Sequence, residues 1–174
     1  MNESSLIRLI DTNRREEKKR IEDLIRESFA HNSMTLSYQS TYSYQSMLAL
    51  PTSSISWGIY RRQQLQGVIF CEQIAPRLIY IPLLAVQPSY FRQGLGYALF
   101  NFLLKRFPTS QFYGDVAQRN VAAMSLYTQQ FNCQVLATWG NTSSDQMTTL
   151  WHPPRVKELS WITTSTVHQT LAAS

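Results

Sequence analysis

A strand-to-helix passage in the middle of the chain sets the tightest limit on its fold. Leu78 to Val86 is a nearly continuous apolar run, the pattern of a central strand buried on both faces. A polar loop follows, Gln87 to Gln93. Gly94 then opens a helical segment, Gly94 to Phe107, that is apolar nearly all round through Ala98, Leu99, Phe100, Phe102, Leu103 and Leu104. Such a helix must be covered by other structure, and Pro108 stops it. A doubly buried strand beside a buried helix predicts a layered α/β domain, with a mixed sheet flanked by helices.

The flanking segments supply the layers. Leu6 to Ile10 reads as a short strand. Ile21, Leu24, Ile25, Ser28 and Phe29 follow helical spacing, so an amphipathic helix is predicted over about residues 14–31. Residues 32–54 are rich in Ser, Thr, Tyr and Gln, with a short helix predicted near Tyr42 to Leu50, ended by Pro51. Ile55, Trp57 and Ile59 alternate with small or polar residues, and Val68, Phe70 and Glu72 share one face of the next strand, with Glu72 at its end. Arg61 to Gln66 reads as the hairpin turn between them. Pro82 cannot donate to a ladder, so it predicts a bulge or an opened pairing inside the apolar strand. Gln111 to Ala117 is a strand, Asn120 to Phe131 an amphipathic helix, and Cys133 to Trp139 and Met147 to Trp151 two closing strands. Pro153-Pro154 ends the regular part. A single domain is expected over 1–154, with 155–174 a tail or an added element.

Composition narrows the class. The chain has 174 residues, 44% hydrophobic and 16% charged, which suits one domain with a real core and excludes a disordered chain. The first thirty residues lack a signal-like apolar stretch, and Ile79 to Val86 is far too short to span a bilayer. A cytoplasmic protein without a membrane partner is expected. Cys71 and Cys133 form no CxxC pair and have no His cluster beside them, so no metal site is expected and buried, reduced cysteines are. The net charge of +5 favours an anionic partner: nucleic acid, acidic protein or a phosphorylated cofactor. In the basic stretch Arg14 to Arg20, Glu16 stands four residues before Arg20, and further on Glu22 stands four before Arg26. That spacing reads as a solvated helix face rather than a nucleic-acid patch.

The loop between apolar strand and helix carries chemistry. A helix N-terminus presents unpaired N–H groups and partial positive charge, which suits a phosphate. Gly94 and Gly96 let that backbone approach a ligand, and Arg92 adds a cation. A dinucleotide fingerprint would want a small residue where Leu99 stands, and the Gly-Lys-Ser/Thr of a P-loop is absent. The glycine pair by itself is equally compatible with a helix start that holds nothing. A second segment, Asp115 to Tyr127, places a strand end ahead of a helix starting at Asn120. Asn120 and Tyr127 are two turns apart, about 10.5 Å along an α-helix axis, and bracket a long ligand on one face.

Together, LAVQPSYFRQGLGYALF (84–100) and DVAQRNVAAMSLY (115–127) resemble the acetyl-CoA-binding core of the GNAT N-acetyltransferases. The resemblance covers roughly residues 6–151 and is strongest over 84–131. It implies the GNAT acyltransferase fold, a central mixed, splayed sheet flanked by helices. It also implies acetyl-CoA as co-substrate and acetyl transfer to a primary amine by direct attack in a ternary complex. By the same resemblance, the backbone of about Arg92, Gln93, Gly94, Leu95, Gly96 and Tyr97 would hold the pyrophosphate. Leu84, Ala85 and Val86 would pair with the pantetheine arm, and Asn120 would hydrogen-bond the cofactor. Tyr127 would protonate the leaving thiolate. Asp115 and Glu72 are the candidate bases, with water alone as a third route. One position departs from the family pattern: Phe91 stands three residues before the first glycine, where Arg or Gln is usual, with Arg92 and Gln93 beside it.

The resemblance implies a small-molecule or peptide amine as acceptor. From Ser28 through Cys71 there is no acid, but there are Tyr38, Tyr42, Tyr44, Tyr60, Arg61 and Arg62. The resemblance implies that the segment between the first two strands lines the acceptor side; a polyamine would want carboxylates there, so a neutral, aromatic or acidic acceptor is expected. Two other readings stay open: an inactive acyl-CoA-binding module, and an acetylase of a ribosomal or nucleic-acid-associated protein. Without an RNA-stacking motif or groove-reading helix, direct nucleic-acid binding is disfavoured. A homodimer remains open.

Overall fold

The apolar run becomes β4 (Leu78–Val86), the middle strand of a seven-stranded sheet. The computed structural model of the protein describes residues 6–11, 13–31, 54–140 and 146–155. The other strands are β1 (Leu6–Leu9), β2 (Ser54–Arg61), β3 (Gln64–Ala75), β5 (Gln111–Ala117), β6 (Gln134–Trp139) and β7 (Met147–His152). The helices are α1 (Arg15–His31), α2 (Leu95–Arg106) and α3 (Val121–Ser125). The sheet order is β1-β2-β3-β4-β5-β7-β6. The β4–β5 pair is parallel and every other pair antiparallel, the mixed sheet expected from hairpins joined to strand–helix–strand units.

Period-two alternation assigns the two faces. On one face, Ile21, Leu24 and Ile25 of α1 pack on Tyr60, Val68, Phe70, Leu83 and Ala85. On the other, Leu95, Leu99, Phe100 and Leu103 of α2 pack on Ile59, Ile69, Ile79, Ile81 and Phe112. Cys71 and Cys133 are both free and buried in that second layer. Tyr60 ties α1 to the sheet. Its hydroxyl donates to Glu17, and the Arg8 guanidinium lies 4.1 Å from its ring centre. Burial, then the Glu17 bond, pushes the Tyr60 phenol up to about 12.

Several details correct the sequence reading. The hairpin turn is tighter than Arg61 to Gln66: Arg62 and Gln63 take φ of 49° and 64°, the two left-handed residues of a two-residue turn. Glu72 lies three residues inside the end of β3. Arg26 pairs with Asp23, three residues before it, rather than with Glu22. The 120–131 helix is not uniform, since α3 ends at Ser125 and continues as a π-helical turn, Leu126–Gln130. The helix predicted at 42–50 and the tail beyond Arg155 lie outside the described residues.

The feature that positions the site is the short contact between β4 and β5. They pair at Leu78–Gln111, Ile79–Phe112 and Tyr80–Tyr113, and then part. Beyond that point β4 stays paired with β3 and β5 with β7, leaving a slot between them. Pro82 sits where the split begins, inside a β3–β4 bulge between the Phe70–Leu83 and Glu72–Tyr80 pairs. Both devices that proline predicted are therefore present. Gly114 marks the same level on β5. A Cβ there would meet the Ile81 carbonyl oxygen at 2.9 Å, so the strands close up at a glycine before they separate. Gly114→Ala should cost about 2 kcal/mol by forcing backbone apart. We expect its thermal midpoint to fall by roughly 4–8 °C in a melting experiment; an unchanged midpoint would show that the strands part there without strain.

Candidate functional site

The slot opens beside the β4–α2 loop. A 3₁₀ turn, Pro88–Tyr90, follows β4, and its backbone is closed by Tyr90 N–H to Gln87 O at 2.9 Å and Phe91 N–H to Pro88 O at 3.1 Å. The pattern then changes. Arg92 takes φ 60° and Gly94 φ 78°, both left-handed, with Gln93 between them on the ordinary side. Among the described residues, the N–H groups from Arg92 to Tyr97 donate to no backbone carbonyl, and Ala98 N–H to Gly94 O is the first helical bond. A run of undonated N–H groups in a left-handed turn at a helix N-terminus is an anion cradle. No side chain caps this helix. A Cβ at Gly94 would meet nothing within 4 Å, so the cradle has open space before it.

Gly96 sits at a joint. A Cβ there would lie 3.4 Å from both Leu84 of β4 and Leu126 of the π turn. A methyl fits that gap and a large side chain does not. Tyr97, 43% exposed, stacks on Phe131 with ring centres 4.8 Å apart and planes 19° from parallel. Leu84, Ala85 and Val86 run along the open edge of β4, with Leu84 and Val86 packed against the α2 layer.

The second segment enters the same layer. Asn120 Oδ1 accepts from Ala123 N–H at 3.1 Å and so caps α3. Its amide nitrogen is not used by that cap. The π turn carries Tyr127, a departure from uniform helix that recurs at functional sites. Tyr127 is partly buried, its ring edge-on to Phe100 at 5.3 Å. Its carbonyl accepts from Cys133 N–H at 2.9 Å, which anchors the turn. Burial, with the nearby Cys133 and Cys71 thiols, pushes the phenol above its ordinary value. Burial pushes the Cys133 thiol up as well, to about 12, so both thiols stay protonated.

The carboxylates stand on the opposite face. Glu72 is directly across from Tyr80, and Tyr80 from Tyr113, so the three share the α1 side. Asp115 is two residues past Tyr113 on that side and pairs with Thr149 of β7. Asp115 Oδ1 accepts from the Thr149 hydroxyl at 2.6 Å, and Oδ2 from the Tyr80 hydroxyl at 3.2 Å. Glu72 Oε2 is buried and has no hydrogen-bond partner. Thus the cradle, Asn120 and Tyr127 gather on the α2 side of the slot, while Asp115 and Glu72 gather on the other. Of the tyrosines in the acid-free stretch, Tyr60 is committed to Glu17 and Arg8; Tyr38, Tyr42 and Tyr44 lie outside the described residues. Sequence reasoning missed Tyr80 and Thr149. Tyr80 could have been flagged as the residue two before the strand proline. Thr149 carries no local signal, because its meaning depends on the β5–β7 register.

The chain matches the Acetyltransferase (GNAT) family model over residues 18–132. No curated sequence matches it. Its fold is similar to the ribosomal-protein-S18-alanine N-acetyltransferase of Escherichia coli, at 14% identity and TM-score 0.71, covering 92% of this chain and 100% of that one. It is similar to Ard1 of Thermoplasma volcanium at 21% identity and TM-score 0.63, covering 85% and 96%. A Bacillus subtilis acetyltransferase in complex with CoA matches at 13% identity and TM-score 0.63, covering 86% and 99%. No helix among the described residues is long and apolar enough to cross a membrane.

The direction of the Tyr127 shift has a consequence for stability. In the unfolded chain the phenol ionises near about pH 10, while the folded chain holds the proton to higher pH. The stabilisation is fully present below about pH 10 and is lost above it. The wild-type melting midpoint should therefore fall more steeply between about pH 10 and 11 than that of Tyr127→Phe; parallel curves would contradict the burial.

Proposed function

The chain belongs to the GNAT acetyltransferase family, and on that premise we propose that it transfers the acetyl group of acetyl-CoA to a primary amine by direct attack in a ternary complex. The observation that carries this reading is the cradle of N–H groups from Arg92 to Tyr97 beside a slot that passes between β4 and β5. Phosphates suit the cradle. The open edge of β4 at Leu84, Ala85 and Val86 suits an extended, amide-bearing arm, which adds to a strand edge by backbone hydrogen bonds. The buried, protonated Cys71 and Cys133 support a reducing cytoplasmic setting.

The chemistry follows from the two faces of the slot. The acceptor amine approaches from the α1 side, where Asp115 and Glu72 draw an ammonium and take its proton, directly or through water. The neutral amine attacks the thioester carbonyl. An N–H on the open edge of β4 near Leu84 stabilises the oxyanion that forms. The C–N bond closes first; as the C–S bond then breaks, Tyr127 on the other side gives its proton to the departing thiolate, and the proton the attacking nitrogen still has to lose returns through water to the phenolate. The phenol carries its proton at neutral pH, and the burial that makes it a weaker acid equally makes a thiolate formed beside it a stronger base.

The test is thiol release from acetyl-CoA with a panel of amines: a hexapeptide with a free N-terminal alanine, tyramine and glucosamine. Turnover with at least one is expected. CoA binding without turnover on any would instead favour an inactive acyl-CoA-binding module. Tyr127→Phe keeps the ring and removes the proton. Its kcat should fall about 10²-fold with acetyl-CoA affinity unchanged. Wild-type turnover would remove Tyr127 from the acid role.

A further inference from the structure

The two carboxylates beside the slot are not equivalent. Glu72 has a buried oxygen with no partner. Asp115 has both oxygens engaged by hydroxyls, Thr149 at 2.6 Å and Tyr80 at 3.2 Å. Thr149 is 5% exposed and lies directly opposite Asp115. Its own hydroxyl is directed. Trp139 Nε1 of β6 donates to Thr149 Oγ1 at 3.3 Å. A hydroxyl has one proton and accepts through its lone pairs. With an indole N–H on its oxygen, the Thr149 proton is left for the carboxylate.

A buried strand position does not need a hydroxyl. Valine has the same shape and a higher strand preference, and a buried hydroxyl is destabilising unless it is hydrogen-bonded. The bond to Asp115 is what this hydroxyl has to offer. An ionised carboxylate has about four acceptor sites. Two bonds, one on each oxygen, stop the Asp115 side chain turning and leave one site per oxygen for an incoming proton. We propose that Thr149 is a positioning residue for acetyl transfer, fixing the Asp115 carboxylate at the acceptor side of the slot. This rests on the reading of Asp115 as a group that meets the acceptor amine.

The test compares Thr149→Val, Thr149→Ser and Asp115→Asn by thiol release from acetyl-CoA, using the fastest amine among the alanine hexapeptide, tyramine and glucosamine. Thr149→Val should lower kcat about tenfold or more, since small misplacements of catalytic groups have effects of that size. Its KM for acetyl-CoA should stay about as in the wild type, because the lost hydroxyl makes no contact on the cofactor side. Thr149→Ser, which restores the hydroxyl, should stay within about twofold of wild type in kcat. A wild-type Thr149→Val beside an impaired Asp115→Asn overturns the positioning role and leaves the proposed function standing. Equal losses in Thr149→Val and Thr149→Ser, or a raised KM for acetyl-CoA, also overturn it, because the side chain would then serve packing. An unaffected Asp115→Asn, or no turnover with any amine, removes the premise and the inference with it.

Discussion

The structure depends on one backbone constraint: β4 and β5 hold together for three residue pairs and then separate. Parallel neighbours inside a sheet usually continue to the strand ends. Here two features mark the level at which the pairing ends. Pro82 removes an N–H and sits in a bulge toward β3, and Gly114 lets the Ile81 carbonyl approach β5 once more before the chains part. The separation does not unravel the sheet, because each strand keeps its other partner. It leaves a gap in the pairing between β4 and β5, in a sheet whose other neighbours stay hydrogen-bonded.

The candidate site residues are arranged about that gap. On the α2 side, the left-handed turn at Arg92 and Gly94 precedes N–H groups that donate to no backbone carbonyl, and the π turn carries Tyr127 to the same layer. On the α1 side, the strand alternation puts Glu72, Tyr80 and Asp115 on one face. Between Ser28 and Ser144, Glu72 and Asp115 are the sole carboxylates, and the fold brings both to one face. Under the proposed function, Tyr127 on one side would protonate the leaving thiolate, and Asp115 and Glu72 on the other would receive the amine.

Much of this was legible in the sequence where local physics decides. The apolar run at Leu78–Val86 gave β4 with its own boundaries, and Gln111–Ala117 gave β5. Pro82 pointed to the bulge and the opening. The glycines pointed to the cradle, because left-handed φ and a bare backbone are properties of the residue itself. What stayed hidden depends on register. Thr149 and Asp115 are 34 residues apart and meet because β7 pairs antiparallel with β5. Glu72 looked like a strand end because Gln73, Ile74 and Ala75 carry no strong alternation of their own, yet β4 extends their pairing. Helical spacing alone made the segment after Asn120 regular. The π turn arises where the chain must pack Tyr127 on Phe100 and hand its carbonyl to Cys133, a tertiary demand.

The central claim is that the cradle from Arg92 to Tyr97 binds the phosphates of CoA beside the slot. The most direct measurement is calorimetric titration of acetyl-CoA and of free CoA into the wild type and into Gly96→Trp, whose side chain would fill the joint between Leu84 and Leu126. Micromolar binding of both ligands by the wild type, lost in a variant that still melts cooperatively, is the predicted result. Absence of binding by the wild type, or equal binding by the variant, would contradict the account.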